Sequence, residues 1–233
     1  MTAINSREDL SVYLAARSYL YRFFQSLFGA EPTPEALGAY NAELTDACLE
    51  ALSVDENVRG PFRRRLQTVA RDAQNVAADL RSAYTVLFVG PGEPAGSPWE
   101  SLHRGVERRL FTDVTLAVRR AFKAQGLTPQ LGPGVADDAL ALELDFLAAL
   151  ALRAQSALSG GEGGGGLVPE DARAPLAASR QFLADHLNQW VDALRQCVVD
   201  ADSTGFYADA TGLLVDFCAL DEQALARLTD EAA

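Results

Sequence analysis

Residues able to do chemistry gather in two short stretches of the 233-residue chain. In the first, Trp99 and Glu100 stand together at the exit of a loop carrying Gly90, Pro91, Gly92, Pro94, Gly96 and Pro98, and His103 follows four positions after the tryptophan. In the second, Asp137, Asp138 and Glu143 precede Phe146 in a leucine-rich run. A large aromatic on a Gly/Pro loop is costly to leave wet, so Trp99 either plugs the edge of a core or offers a binding surface. Glu143, set among Leu140, Leu142, Leu144 and Leu147, is either an acid on a polar helix face or an acid lining a groove for a basic ligand. Asp137 and Asp138 read first as helix caps and second as ligand acids. His103 reads as a satisfied polar group.

This is chemistry of binding rather than of bond-making. The chain has no G-x-x-x-x-G-K-[ST], no G-x-G-x-x-G after a strand and no H-E-x-x-H. Glu143 and Asp145 are separated by one residue, which on a helix turns them to different faces and rules out a shared-proton pair between them. Cys48, Cys197 and Cys218 form no C-x-x-C, and His103 and His186 are the only histidines. A disulfide framework and a zinc site are therefore not expected, and no cofactor is.

Helices must position these residues. Ser6-x-x-Asp9 has the form of a capping box ahead of Leu10, Tyr13, Leu14, Arg17, Leu20, Tyr21, Phe24, Leu27 and Phe28, spaced by threes and fours until Gly29 and Pro32. Thr33-Pro34-Glu35 starts a second helix continuing through Leu37, Tyr40, Leu44 and Cys48. Pro61 is expected to open a third that runs to Phe88 and stops at Gly90. Val106 to Phe122 mark a fourth that closes at Gly126, and Gly132-Pro-Gly134 breaks the chain again. A helix then holds Leu140 to Leu150. Gly160–Gly166 reads as a flexible linker, bounding a loop at 159–167. Phe182 to Val198 form one further helix, Phe206 to Leu220 another, and Asp221 is expected to cap a short last one. No period-2 alternation marks a strand. The fold class expected is all-α: a single-domain bundle of about eight or more helices over 1–233.

The net charge of −12 is uneven: −5 over 1–59, +5 over 60–125 and −12 over 126–233. Such a field disfavours nucleic acid and favours a basic partner, although a merely solvated acidic surface accounts for it equally well. No run of about 18 apolar residues is present, so no membrane insertion is expected. The N-terminus lacks a basic stretch followed by an apolar one, which places the protein in the cytoplasm as an expectation.

Several segments resemble a known family. Tyr84-Thr-Val-Leu-Phe-Val-Gly-Pro-Gly, continuing to Pro98-Trp-Glu-Ser101 and then R-x-L-F and V-R, is similar to the TorD/DmsD-type chaperones that mature molybdenum-dependent redox enzymes. Leu20–Phe28, Ala136–Leu147, and Phe182–Trp190 with Gly205-Phe-Tyr207 resemble further family segments in the same order. Two positions depart: Ala139 stands where the family has histidine after the aspartate pair, and His103 where it has tyrosine. The resemblance implies a TorD-like helical fold and a binding function. The implied partner is the twin-arginine signal peptide, or the apo-form, of a molybdoenzyme catalytic subunit, held by a monomer or homodimer. Carboxylates of Glu100, Asp137, Asp138 and Glu143 would meet the basic part of such a leader; Trp99, Leu102 and Phe146, with His103 beside them, would meet its apolar part. The alternative is a helical small-ligand-binding or enzymatic domain with a pocket near Glu143.

Overall fold

A computed structural model describes residues 4–104, 109–129, 135–160 and 166–230, without the side chains of 159 and 160. Among them the architecture is all-α, and the only β pairing is an isolated antiparallel bridge between Trp99 and Ala139.

Helix α1 (Arg7–Gly29) begins as its sequence dictates. The Ser6 hydroxyl accepts from Asp9 N (3.1 Å) and the Asp9 carboxylate from Ser6 N (3.0 Å), so two otherwise orphaned amides are satisfied reciprocally. Its stripe buries Leu10, Leu14, Leu20, Tyr21 and Phe24 completely, each contributing up to about 1.5–3 kcal/mol of transfer free energy. α1 lies along α8 (Leu140–Gly160), which packs in turn on α9 (Glu170–Asp185); α11 (Phe206–Asp230) closes the core against α9 and α10 (Val191–Ala201).

One stripe position on α1 is charged. Arg17 is fully buried and donates Nε to both oxygens of Asp221 (2.8 and 2.7 Å), while Tyr13 and Tyr21 hydroxyls donate to the same carboxylate at 2.6 Å each. Burial works against the guanidinium, but Asp221 and the two phenols more than offset it and hold the Arg17 pKa above its usual value. Asp221 is thus not a cap. α11 runs unbroken through it, because no glycine or proline interrupts Phe217, Cys218, Asp221, Ala224, Leu225 and Leu228 on the buried face.

Other expected boundaries also move. The segment after Thr33 splits into α2 (Pro34–Gly38) and α3 (Ala42–Ala51), which takes Asn41 as its own cap (Leu44 N to Asn41 Oδ1, 3.0 Å). Pro61 lies inside α4 (Glu56–Arg71) rather than opening it, and α5 (Ala73–Tyr84) restarts at Asp72. The helix expected from Val106 begins instead at Asp113 (α7, Asp113–Ala124); Phe111 sits outside it, exposed and at φ +60°. Val106, Gly132-Pro-Gly134 and most of the glycine linker lie outside the described residues. A single helix does not span Phe182 to Val198: α9 ends at Asp185, a 3-10 turn covers Leu187–Gln189, and α10 follows.

The features that position the site lie between α5 and α8. α5 passes into a π-helical turn, Thr85–Val89, which Gly90 ends at φ +94°, a conformation that favours glycine. The loop then folds back: Ala95 N and Gly96 N donate to the carbonyls of Val86 (3.3 Å) and Leu87 (2.8 Å). Gly96 presses on α10 so closely that a Cβ there would lie 2.8 Å from Val198 Cγ2. The loop ends in the five-residue helix α6 (Glu100–Arg104).

Candidate functional site

The Trp99 loop and the turn before α8 meet. Beside the Trp99–Ala139 bridge, Glu100 N donates to the Asp138 carbonyl (3.0 Å), Leu140 N to the Pro98 carbonyl (2.9 Å), and Ser101 N to Asp138 Oδ2 (2.8 Å). Asp138 therefore caps α6, a neighbouring helix, rather than the one it precedes. The pairing needs backbone alone at 139, so alanine serves where the family resemblance leads one to expect histidine. Asp137 turns away and pairs with Arg119 on α7 (2.9 Å to Nε, 2.6 Å to Nη2).

Behind this junction lies a buried cluster of carboxyl groups. Glu100, Asp138 and Glu143 have no solvent-accessible surface. Glu100 is bonded by His186 Nδ1 (3.0 Å to Oε2) and by Arg104 Nη1, which also donates to the Asp185 carbonyl (2.7 Å). Glu143 Oε2 accepts from the Trp190 indole (3.2 Å), while Glu143 Oε1 and Asp138 Oδ1 have no partner. Burial first, then the Glu100 carboxylate, push the Glu143 pKa well above the usual carboxylate range; Asp138 adds to this and the indole N–H partly opposes it. Glu143 is thus not an acid on a polar helix face.

The remaining candidates flank the cluster. Trp99 is half-buried, its Nε1 enclosed without a partner, and Leu102 is half-buried as well. His103 Nε2 donates to the Ser97 carbonyl (2.7 Å), and the ring stacks on Trp190 at 5.2 Å between ring centres. Phe146 belongs to an aromatic group with Phe122 and Phe182, at 4.7 Å from each. Phe146 and Phe182 face a cavity of about 320 Å³, together with Arg120, Gln181, Asp185 and His186. His186 therefore joins the two halves of the site, with one ring nitrogen on Glu100 and the ring at the cavity wall.

Neither His186 nor Trp190 was singled out for the site by sequence reasoning. A signal was available: they lie four residues apart in Phe182–Trp190, a segment that carries the family resemblance. Among the described residues no group of three or more histidine, cysteine or acidic side chains is disposed to hold a metal ion, and no helix is long and apolar enough to cross a membrane. In the buried cluster the acids outnumber the arginine and histidine that face them. Its chemistry is that of holding protons and cations, beside a cavity that suits apolar or aromatic groups.

A family model described as nitrate reductase delta subunit matches residues 31–196. The chain is 27% identical over 225 residues to the chaperone protein TorD of Vibrio atlanticus, covering 94% of this chain and 99% of that protein. It is 27% identical over 224 residues to TorD of Aliivibrio salmonicida (94% and 98%) and 24% identical over 217 residues to TorD of Photobacterium profundum (92% and 96%).

Proposed function

Since the chain belongs to the nitrate reductase delta subunit family and its relatives are named TorD chaperones, we propose that it holds the twin-arginine leader, or an adjacent region, of an apo-molybdoenzyme catalytic subunit. It keeps that client in the cytoplasm while the cofactor is inserted, before export or membrane assembly. Such a leader is a basic stretch followed by an apolar one.

The observation that carries this reading is the joining of the Trp99 loop to the cavity through Glu100 and His186. Half-buried Trp99 and Leu102 on the loop, and Phe146 and Phe182 at the cavity, supply apolar surface for the second part of the leader. The exposed Asp185 carboxylate at the cavity and the acidic residues behind it favour the first part. Asp137, already paired with Arg119, contributes field rather than contact.

Calorimetric titration with a synthetic peptide bearing two adjacent arginines and an apolar run tests the reading. Binding should weaken as salt rises. It should fall about tenfold or more when Trp99 is changed to alanine, because anchoring aromatics carry much of an interface's affinity, and circular dichroism should show helicity retained. Absence of heat with the wild-type protein, for leaders of every molybdoenzyme encoded nearby, would sink the proposal.

A further inference from the structure

Arg104 already sits where a ligand's arginine would. Its Nη1 bridges the Glu100 carboxylate and the Asp185 carbonyl, two acceptors from separate elements set at the reach of one guanidinium. Glu100 is wholly enclosed, whereas the Arg104 side chain is 33% exposed, so Arg104 links the buried carboxylate to solvent. On its other side Glu100 touches His186, and His186 and Asp185 both line the aromatic cavity.

We propose that Arg104 is an internal stand-in for the ligand: it occupies the guanidinium position formed by Glu100 and the Asp185 carbonyl, and an arginine of the bound leader displaces it. This rests on the leader-binding reading above. The position needs a cation, because Glu100 lies in one buried cluster with Glu143 and Asp138, and Arg104 and His186 are the basic groups bonded to it. The present occupant is easily moved. Its guanidinium reaches the enclosed Glu100 from the solvent side and stays 33% exposed, so an arriving guanidinium can approach the same acceptors from that side. A leader arginine would arrive tethered to an apolar run that the cavity can take, which a side chain on α6 cannot offer. Arg104 thus keeps the buried acid neutralised while the site is empty and lowers the affinity of every basic ligand that must evict it.

The test is peptide titration of Arg104→Gln, with Arg104→Lys beside it. Arg104→Gln should bind the twin-arginine peptide about three- to tenfold more tightly than wild type, and the gain should vanish when Glu100→Gln is added in a double-mutant cycle. Arg104→Lys, which keeps the charge but loses the fork, should tighten binding by a smaller factor. If the wild-type protein binds and a folded Arg104→Gln binds equally or more weakly, the stand-in role is overturned. Should Arg104→Gln fail to fold, Arg104→Lys decides: unchanged or weaker binding overturns the proposal, tighter binding supports it. Binding by none of these proteins would instead overturn the leader-binding reading itself.

Discussion

Two buried charge clusters lie in this bundle, and they are built on opposite terms. In the first, Arg17 and Asp221 join α1 to α11, and the carboxylate receives four short bonds from one guanidinium nitrogen and two phenols. In the second, Glu100, Asp138 and Glu143 gather where the Trp99 loop meets α8, and two of their oxygens accept nothing. The first balances one cation against one anion and fills the anion's lone pairs, although Nη1 and Nη2 of Arg17 are buried without a partner, and this is the arrangement that fixes helix order. The second sets three acids against one arginine and one histidine, favours the protonated form of Glu143, and reaches solvent through Arg104, which is what the proposed exchange of partners requires. A buried carboxylate by itself distinguishes neither case; its complement of donors does.

The largest effect that would break this contrast concerns the first cluster. Asp221→Asn keeps the shape but strands a buried guanidinium, and should lower unfolding free energy by about 3–5 kcal/mol, read from urea midpoints. A loss under about 1 kcal/mol would mean that Arg17 finds other partners and that the cluster is not a fixed staple.

Glu143→Gln should act in the other direction. An acid whose folded pKa lies above its ordinary value near 4.5 holds a proton that the unfolded chain has released. Its contribution to stability is therefore full below about pH 4.5 and is lost as pH rises from there toward the folded value, by up to about 1.4 kcal/mol per unit. The glutamine variant should be more stable than wild type by about 1–3 kcal/mol at pH 8, and the gap should close toward pH 5. Parallel pH profiles for the two proteins would show that Glu143 does not hold the proton.

The smallest effect sharpens the contrast. Ser101 Oγ is buried in the junction without a partner, so Ser101→Ala should be neutral or raise stability by about 0.5 kcal/mol in thermal melts. A loss above about 1 kcal/mol would show that the hydroxyl has a bonded role and that the junction is better satisfied than the geometry indicates.

Much of the bundle was legible because helices announce themselves locally. The Ser6–Asp9 box, the Thr33–Pro34 start and the stripe from Leu10 to Phe28 all form as their spacing requires. Asp221 was not legible as a core residue, since an aspartate after Leu220 looks like a cap unless its partner 204 residues away is known. Arg17 offered the clue, as a charge on an otherwise apolar stripe. The meeting of the Trp99 loop with the Asp138 turn was readable as an expectation from the family resemblance. The enclosure of its acids was not, because Trp190 and His186 reach them from positions 47 and 86 residues downstream of Glu143 and Glu100.

The π-helical turn at Thr85–Val89 has a consequence for how such a junction tolerates change. A π turn lodges one residue more than a regular turn, and so resets the rotational phase at which the chain leaves the helix. Here that phase aims the Val86 and Leu87 carbonyls at the returning amides of Ala95 and Gly96. The direction in which Trp99 is delivered is thus set by a count of residues rather than by any one side chain. Substitutions within 85–89 leave that count intact, while a single insertion or deletion there rewrites it, so the segment is strict in length throughout and permissive in identity only at exposed Val86 and Val89, not at buried Leu87 and Phe88.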